Sequence, residues 1–490
     1  MADVLPITPR MEEKLRRESA GVTGPPSEDA MALAFVDAYV DKYRYVPPWS
    51  KWYRWDGKRW KEDSTGRVFA IIRKMVRAEV GNTKDERKTA NSSYIAGVER
   101  LARCDQRIVV LPEQFDAHPW LLNTQSGMVD LRGANLFHGV EPHDPEMLCT
   151  RITAERVPED HVDCDDGTVI YTIAEQLQDG EQLWQRFLSD ITQGDDDLAA
   201  YLQRVAGHCA SGATTEDVLV YLFGVGANGK SSFAEAIAHV LGDYAKVFPA
   251  EVLMESKGER HPTDLAQFMG VRFALTSEPA SSATWNDSRI KSLTGDAEIS
   301  ARFMRGDFFT FPRTHKTVVI GNHMPKLSAV THAIRRRVQM VPFRAVFERT
   351  DGAPLNEYTR MRRKGEERTT DMRQLLKDDA TNAILKWIIE GARMWAKTGT
   401  PPPQTVTDLT ADYLAGQDVL GQWLDERCER DAKAFERSSD LHKNYADWCE
   451  GQGLRPKSNV TLSSDLISAG FDRRATMVGK VFYGIRLKPI

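Results

Sequence analysis

The sequence predicts an α/β fold: a P-loop ATPase core, preceded by a helical domain and followed by a winged-helix-like module. Three observations lead there. Gly224-Val225-Gly226-Ala227-Asn228-Gly229-Lys230-Ser231 matches G-x-x-x-x-G-K-[ST]. An apolar run at 218–223 precedes it and a helical pattern at 233–238 follows, which is the strand–loop–helix setting the motif requires. Further apolar runs at 271–278, 317–321 and 338–341 each carry, at one end, a polar residue suited to phosphate chemistry.

The loop itself is built to hold an anion. Its glycines let backbone N–H groups turn inward, and the helix start adds the positive end of its dipole. Lys230 suits the β- and γ-phosphates of a nucleotide, and the Ser231 hydroxyl suits Mg²⁺. Gly224, Gly226, Ala227, Asn228, Gly229 and Ser232 complete the wrap around the phosphates of ATP. The run at 271–278 ends in Glu278, at the carboxyl end of a strand, where a carboxylate polarises water and supports Mg²⁺ through water. The run at 317–321 ends in Asn322-His323-Met324-Pro325, and an amide there suits the γ-phosphate or its water. The last run follows Arg335-Arg336-Arg337. Three arginines beside a buried strand are costly unless they meet anions. One of them suits an arginine finger reaching a neighbouring subunit's ATP, and a solvated basic turn is the plainer alternative.

The rest of the chain bounds the problem. A length of 490 residues predicts about three or four domains. Charged residues at 28% and hydrophobic ones at 41% describe a soluble globular chain. No apolar stretch is long enough for a membrane span, and the N-terminus lacks a basic-then-apolar signal. The six cysteines are scattered without a C-x-x-C pair, which argues against zinc or a disulfide framework and for a reducing cytoplasm. A net charge of −5 means that any nucleic-acid surface is local.

Residues 1–28 read as a loose polar tail and 29–120 as a small α+β domain. Within that domain Asp56-Gly57 lies between aromatic alternations, a hairpin signal. Its tryptophans, interleaved with Lys and Arg, suit stacking on single-stranded bases, but cross-strand packing explains them more simply. Residues 121–208 read as the helical domain and 209–397 as the core. The segment 398–404, with Pro401-Pro402-Pro403, reads as a linker, and 405–490 as the winged-helix-like module. The final forty residues carry seven Lys/Arg against two acids, which suits nucleic acid and an ordinary solvated face equally.

The ordered series GVGANGKSS, LTSEP, IKSLTGDAEISARF, VVIGNHMP and AIRRRVQMVPF resembles the superfamily III helicases. More narrowly it resembles the C-terminal family of phage and plasmid primase–helicases, related to poxvirus and satellite-phage primases. The resemblance runs from about residue 121 to the C-terminus. It implies a modified AAA+ core that assembles into a ring, usually a hexamer, around DNA and hydrolyses ATP to translocate. Carried onto this sequence, Lys230 and Ser231 bind phosphate and metal, Glu278 is the catalytic acid, and Asn322 is the sensor. Arg336 or Arg337 is the finger, and Arg335 stands where relatives often have an aromatic residue. Lys291 with Gly295 matches the extra motif between the second and third sites. The segment 301–311 becomes a hairpin projecting into the ring, with Arg302 and Arg305 gripping DNA phosphates alongside Lys291. Ser277 stands where a general Walker B site has an acid, which shifts metal binding toward Ser231.

Two functions follow from these expectations. One is a DNA helicase in replication of a phage, prophage or plasmid, working with a separate primase or polymerase, because no close acidic pair sits on a clear strand before residue 121. The other is an ATP-dependent initiator or loader that binds origin DNA without processive unwinding. A small-molecule kinase leaves the arginine run unexplained, and a GTPase lacks an N-K-x-D guanine reader.

Overall fold

A computed structural model describes residues 26–80, 90–133, 140–157, 168–255, 263–280, 283–302, 307–327, 330–347, 372–454, 456–476 and 479–489. Most of the expected N-terminal tail, Arg305 and Arg455 lie outside the described residues.

A five-stranded parallel sheet organises the chain. Its strands are β7 (Leu219–Phe223), β8 (Ala245–Phe248), β9 (Phe273–Thr276), β12 (Lys316–Gly321) and β13 (Val338–Pro342), in the order β13-β7-β12-β9-β8. The central strands read as near-continuous apolar runs because helices and loops cover both faces of the sheet. Successive residues of β7 alternate between two cores. Val220 and Leu222 join one cluster, while Leu219 and Tyr221 join the other.

The first face is covered by helices from both sides of the core in sequence. These are α4 (Thr168–Thr192), α5 (Asp196–Ala210), α6 (Lys230–Leu241), α10 (Met372–Asp379) and α11 (Thr381–Thr398). Trp184 of α4 sits 5.1 Å from Trp387 of α11 and 5.9 Å from Phe233 of α6, centroid to centroid. The charged segment after the core thus returns to the helical layer that precedes it. Its apolar residues Ile384, Leu385, Ile388 and Ile389 are buried there. The crossing of α5 and α11 is close enough to need glycine on both sides. A Cβ on Gly207 would lie 1.9 Å from the Ala392 nitrogen, and one on Gly391 would lie 2.1 Å from the Gln203 carbonyl oxygen.

The second face is covered by α8 (Asp287–Gly295) and α12 (Gln404–Gln417). Tyr413 of α12 accepts from Trp285 Nε1 at 2.9 Å and donates to the Pro325 carbonyl at 2.6 Å. The expected linker before α12 is tied down: Glu216 accepts from Trp395 Nε1 at 2.9 Å and from the Thr400 N–H at 3.1 Å. Helix α12 therefore packs with the sheet, and the separate C-terminal core begins with α13 (Val419–Arg427). That core continues through β14 (Cys428–Arg437), α14 (Ser438–Gly451), α15 (Asn459–Ser468), β15 (Asp472–Thr476) and β16 (Gly479–Leu487), with sheet order β14-β16-β15. Trp423, Tyr445, Trp448 and Phe482 fill it. Both acids of the final forty residues are paired, Asp465 with Lys457 at 2.8 Å and Asp472 with Arg474 at 2.7 Å, and Arg486 pairs with Glu429 of β14 at 2.5 Å.

At the other end, α1 (Glu28–Tyr39), α2 (Arg67–Val80) and α3 (Ser92–Ala102) pack around the meander β1 (Tyr43–Val46), β2 (Lys51–Trp55) and β3 (Trp60–Glu62). The Asp56-Gly57 turn joins β2 to β3 as expected, and Asp56 Oδ1 caps it by accepting from the Lys58 and Arg59 N–H groups. Trp55 and Trp60 pack across the pair at 5.7 Å. The domain expected over 121–208 opens on a small antiparallel sheet, β4 (Leu121–Asn123), β5 (Met128–Asp130) and β6 (Val140–Glu141), before its helices α4 and α5. Among the described residues no helix is long and apolar enough to cross a membrane.

The glycine crossing gives a direct test. Gly207→Ala and Gly391→Ala are each expected to destabilise the protein by about 2–3 kcal/mol in urea unfolding, through forced separation of α5 and α11. Gly416→Ala, on α12 with open space around it, is expected to be neutral or to gain up to about 1 kcal/mol.

Candidate active site

The site lies at the carboxyl ends of β7, β12 and β9, where loops and a helix start converge. Helix α6 begins at Lys230 directly after Gly229, whose φ is 82°. A residue with a side chain is strained at that angle. A Cβ there would also lie 2.4 Å from Ile191 Cγ2 of α4. No side chain caps the helix start, so the first N–H groups remain available to an anion. Ala227 also has positive φ, 45°, and its carbonyl accepts from the Phe347 N–H at 2.8 Å.

Lys230 is buried and all three of its donors are used. It donates to the Gly224 carbonyl at 2.7 Å, to Asn228 Oδ1 at 2.8 Å and to Asn322 Oδ1 at 2.9 Å. Asn228 is fixed in turn by donating to the Phe343 carbonyl at 3.2 Å. Asn322, just past β12, reaches the other way as well. Its backbone N–H donates to Glu278 Oε1 at 2.8 Å and its Nδ2 to Glu278 Oε2 at 2.9 Å. The amide orientation follows from its neighbours, because an ammonium only donates and a carboxylate only accepts. The chain Lys230–Asn322–Glu278 exists because β12 lies between β7 and β9.

This arrangement fits a nucleotide phosphate and its metal. The buried ammonium has only neutral oxygens within hydrogen-bond reach, an incomplete match for a charge out of water. Burial pushes its pKa from the ordinary 10.5 down to about 8, and the Glu278 carboxylate opposes the shift. Ser231, half-buried in the first turn of α6, is placed to give its hydroxyl to a cation beside that phosphate. Ser232 follows it, and Gly226 sits in open space at the loop tip. Glu278 is exposed, as a carboxylate that meets water must be, and Ser277 accepts from the Ala250 N–H at 3.3 Å.

The three arginines divide between two acids, and they differ in burial. Arg335 pairs with Asp418 at 2.7 Å. Arg336 is 57% exposed and lies 3.3 Å from Asp217. Arg337 is buried and braces the core, donating to Asp217 at 2.9 Å, to Thr294 Oγ1 at 3.1 Å and to the Ala333 carbonyl at 3.1 Å. Geometry therefore separates the two finger candidates: Arg336 faces outward, and Arg337 is committed within its own chain. Asp217 was not singled out from the sequence. It is one acid in a loop before β7, and only the fold brings the arginines, including Arg313 at 3.8 Å, around it.

The expected hairpin is present. Strand β10 (Glu298–Arg302) pairs antiparallel with β11 (Phe308–Pro312), and Arg302 lies over the Phe308 ring at 5.3 Å. Residues 303–306, with Arg305, lie outside the described residues. Lys291 sits on α8, half-buried beside Asp287, whose carboxyl burial raises and Lys291 partly lowers. The hydrogen-bonded chain from Lys230 through Asn322 to Glu278 does not include Lys291.

Comparison with known proteins gives partial matches. Residues 32–193 match the family described as D5 N terminal like, and residues 222–337 match a family of unknown function. The chain is 25% identical over 347 residues to a "Putative helicase" of Acanthamoeba polyphaga mimivirus, covering 68% of this chain and 33% of that protein. It is 26% identical over 289 residues to a "Putative helicase" of Frog virus 3 (isolate Goorha), covering 56% of this chain and 29% of that protein. The chain thus spans about a third of the length of the curated relatives it matches. Among solved structures, the A form apo structure of the NrS-1 C terminal region is similar at 9% identity with a TM-score of 0.46, covering 90% of this chain and 94% of that one.

Two outcomes test the site. Below about pH 8 the penalty of burying the Lys230 ammonium is fully present, and it is relieved as pH rises toward 10.5, where the unfolded chain also loses the proton. A phosphate reverses the shift, so nucleotide binding at about pH 8.5 is expected to take up a fraction of a proton. Calorimetric binding enthalpies in buffers of different ionisation heat should show this uptake, and Lys230→Met should abolish it. Separately, Arg337→Ala is expected to cost about 3 kcal/mol in unfolding, since it empties a buried site and removes the shortest of the three ion pairs around Asp217. Arg336→Ala should change stability by less than about 1 kcal/mol.

Proposed function

We propose that the chain is an ATP hydrolase of the superfamily III helicase type, a ring-forming motor that moves along DNA and separates strands in the replication of a virus, phage or plasmid. The observation that carries this reading is the hydrogen-bonded chain from Lys230 through Asn322 to Glu278 beside an uncapped helix start. The D5 N-terminal-like match and the similarity to viral proteins described as helicases support the same reading.

In this proposal Lys230, the N–H groups at the start of α6, and Ser231 hold the phosphates and Mg²⁺ of ATP. The bound Mg²⁺ supplies charge neutralisation on the transferring phosphoryl group. Glu278 accepts the proton of the attacking water. Both of its oxygens are engaged by Asn322, so the base is restrained until that amide turns away. Asn322 shares its carbonyl oxygen with Lys230, and movement of the lysine toward an anion is what releases it. Arg336, outward-facing, is the finger offered to the next subunit, and Arg337 holds the turn that presents it.

The C-terminal order helix–strand–helix–helix–strand–strand suits a winged helix and favours a second reading, an origin-binding initiator. A forked-duplex assay separates the two. The helicase reading expects DNA-stimulated ATP hydrolysis and unwinding, both reduced at least about 100-fold in Lys230→Ala. It expects Glu278→Gln to bind ATP normally while kcat falls roughly 10²- to 10⁴-fold. Strand separation by purified Lys230→Ala at the normal rate would overturn it. Site-specific duplex binding with ATP hydrolysis but no unwinding would favour the initiator.

A further inference from the structure

A second cavity, away from the candidate active site, has no P-loop residue in its lining. It is a cleft of about 1190 Å³ between the N-terminal module and strand β11 of the hairpin. One wall is aromatic: Trp49 lies nearly parallel to Phe115 at 6.2 Å and 13°, and Tyr53 lies 4.9 Å from Phe115. Phe308 and Phe309 of β11 line the same cleft, and Phe308 is 62% exposed. Three guanidiniums line the cleft as well, and one of them, Arg313, lies 3.8 Å from Asp217. Arg272 donates to the carbonyls of Ala210 at 2.8 Å and Leu121 at 2.9 Å, and Arg151 to those of Asp243 at 2.6 Å and Met269 at 2.7 Å. The hydrogen-bond partners of Arg272 and Arg151 are neutral, so their charge is not cancelled by a bonded carboxylate.

Each feature is unfavourable for a surface with nothing to bind. A large exposed phenylalanine sharing a cleft with a half-buried tryptophan leaves apolar area in water. Flat rings from two separate parts of the chain, with arginine in the same lining, suit the flat faces and phosphates of nucleotides. The volume exceeds the ~300–1,000 Å³ of ordinary small-molecule pockets, so it takes more than one such unit. The acids present, Glu113, Asp116 and Asp307, keep the cleft from being a purely ionic groove, and Asp116 is already engaged by the Thr150 N–H at 2.9 Å. Stacking, and not phosphate attraction, must then supply most of the affinity. A duplex hides its base faces inside its own stack, which leaves an unpaired strand as the fitting occupant.

We propose that this cleft binds unpaired DNA, with bases stacked between the Trp49–Tyr53 wall and the Phe308–Phe309 strand. The N-terminal module and the hairpin then act as two jaws on one strand, ahead of any movement driven by ATP. The ligand class rests on the translocase reading above; the walls do not.

The test is fluorescence anisotropy of end-labelled oligothymidylate with the full chain, without nucleotide. Trp49→Ala and Phe308→Ser are each expected to raise Kd about tenfold, within the range for loss of one base–aromatic stack. Trp49→Phe should recover most of that loss. The factor should be the same at low and high salt, because no phosphate contact is removed. Phe308 is exposed, so its variant keeps the inference testable if Trp49→Ala fails to fold. Unchanged affinity in Phe308→Ser and Trp49→Ala, or an equal loss for duplex of the same length, would overturn the cleft. If the unaltered protein binds oligothymidylate and its ATP hydrolysis responds to DNA, that failure leaves the translocase reading standing. If the unaltered protein binds no DNA, both fall together.

Discussion

The amide of Asn322 connects the two charged groups of the candidate site. It touches an ammonium through its oxygen and a carboxylate through its nitrogens, 2.9 Å on each side-chain contact. The contact is available only because β12 is inserted between the strand that enters the P-loop and the strand that ends at Glu278. Everything larger serves that adjacency. The parallel register aligns Ile320 with Leu222 and Val319 with Thr276, so the three strand ends fall at one level. The helices on one face and α12 on the other exclude water from the sheet, which is what makes a parallel arrangement stable.

Burial and charge are balanced differently at the two ends of the core. Near the P-loop a lysine is left with neutral partners, a state that costs free energy until an anion arrives. Near the arginine turn the opposite holds, and Asp217 collects Arg336 and Arg337. Lys316, fully buried, is a third case: its ammonium is satisfied by the Ala213 carbonyl at 3.3 Å and the Thr314 carbonyl at 3.0 Å, and burial holds its pKa well below the usual lysine value. The first of these is open to a ligand. Arg337 and Lys316, in the other two, are structural.

Local signals explain which parts of the fold were legible in the sequence. The P-loop, the strand ending at Glu278, the strand before Asn322 and the Asp56-Gly57 hairpin all carry their evidence within a few residues of one another. What was not legible depends on distant packing. Nothing in residues 381–398 announces that α11 returns to α5, because a buried helical face does not name its partner. Glycines 207 and 391 mark the contact only once both helices are in place. The same holds for α12, whose proline-rich approach looks like a free linker until Glu216 is seen to fasten it. Asp217 had no motif at all. The tryptophan-rich stretch divides between the two explanations weighed for it: Trp55 and Trp60 pack across strands, while Trp49 faces a cleft.

Three consecutive arginines leave one short turn, two of them toward Asp217 and one toward Asp418. Arg337 is rooted in the sheet core, and Arg335 is fastened to Asp418, which also caps α13 by accepting from the Gly421 N–H at 2.9 Å. Arg336 stands between an anchor and a tether, on a backbone with no spare residue to absorb displacement. The turn has the mechanics of a short lever clamped at one end. Any tilt of α13 against the sheet is delivered to the neighbouring peptide within one residue, so the position of the outward guanidinium and the seating of the C-terminal module are set by the same few bonds.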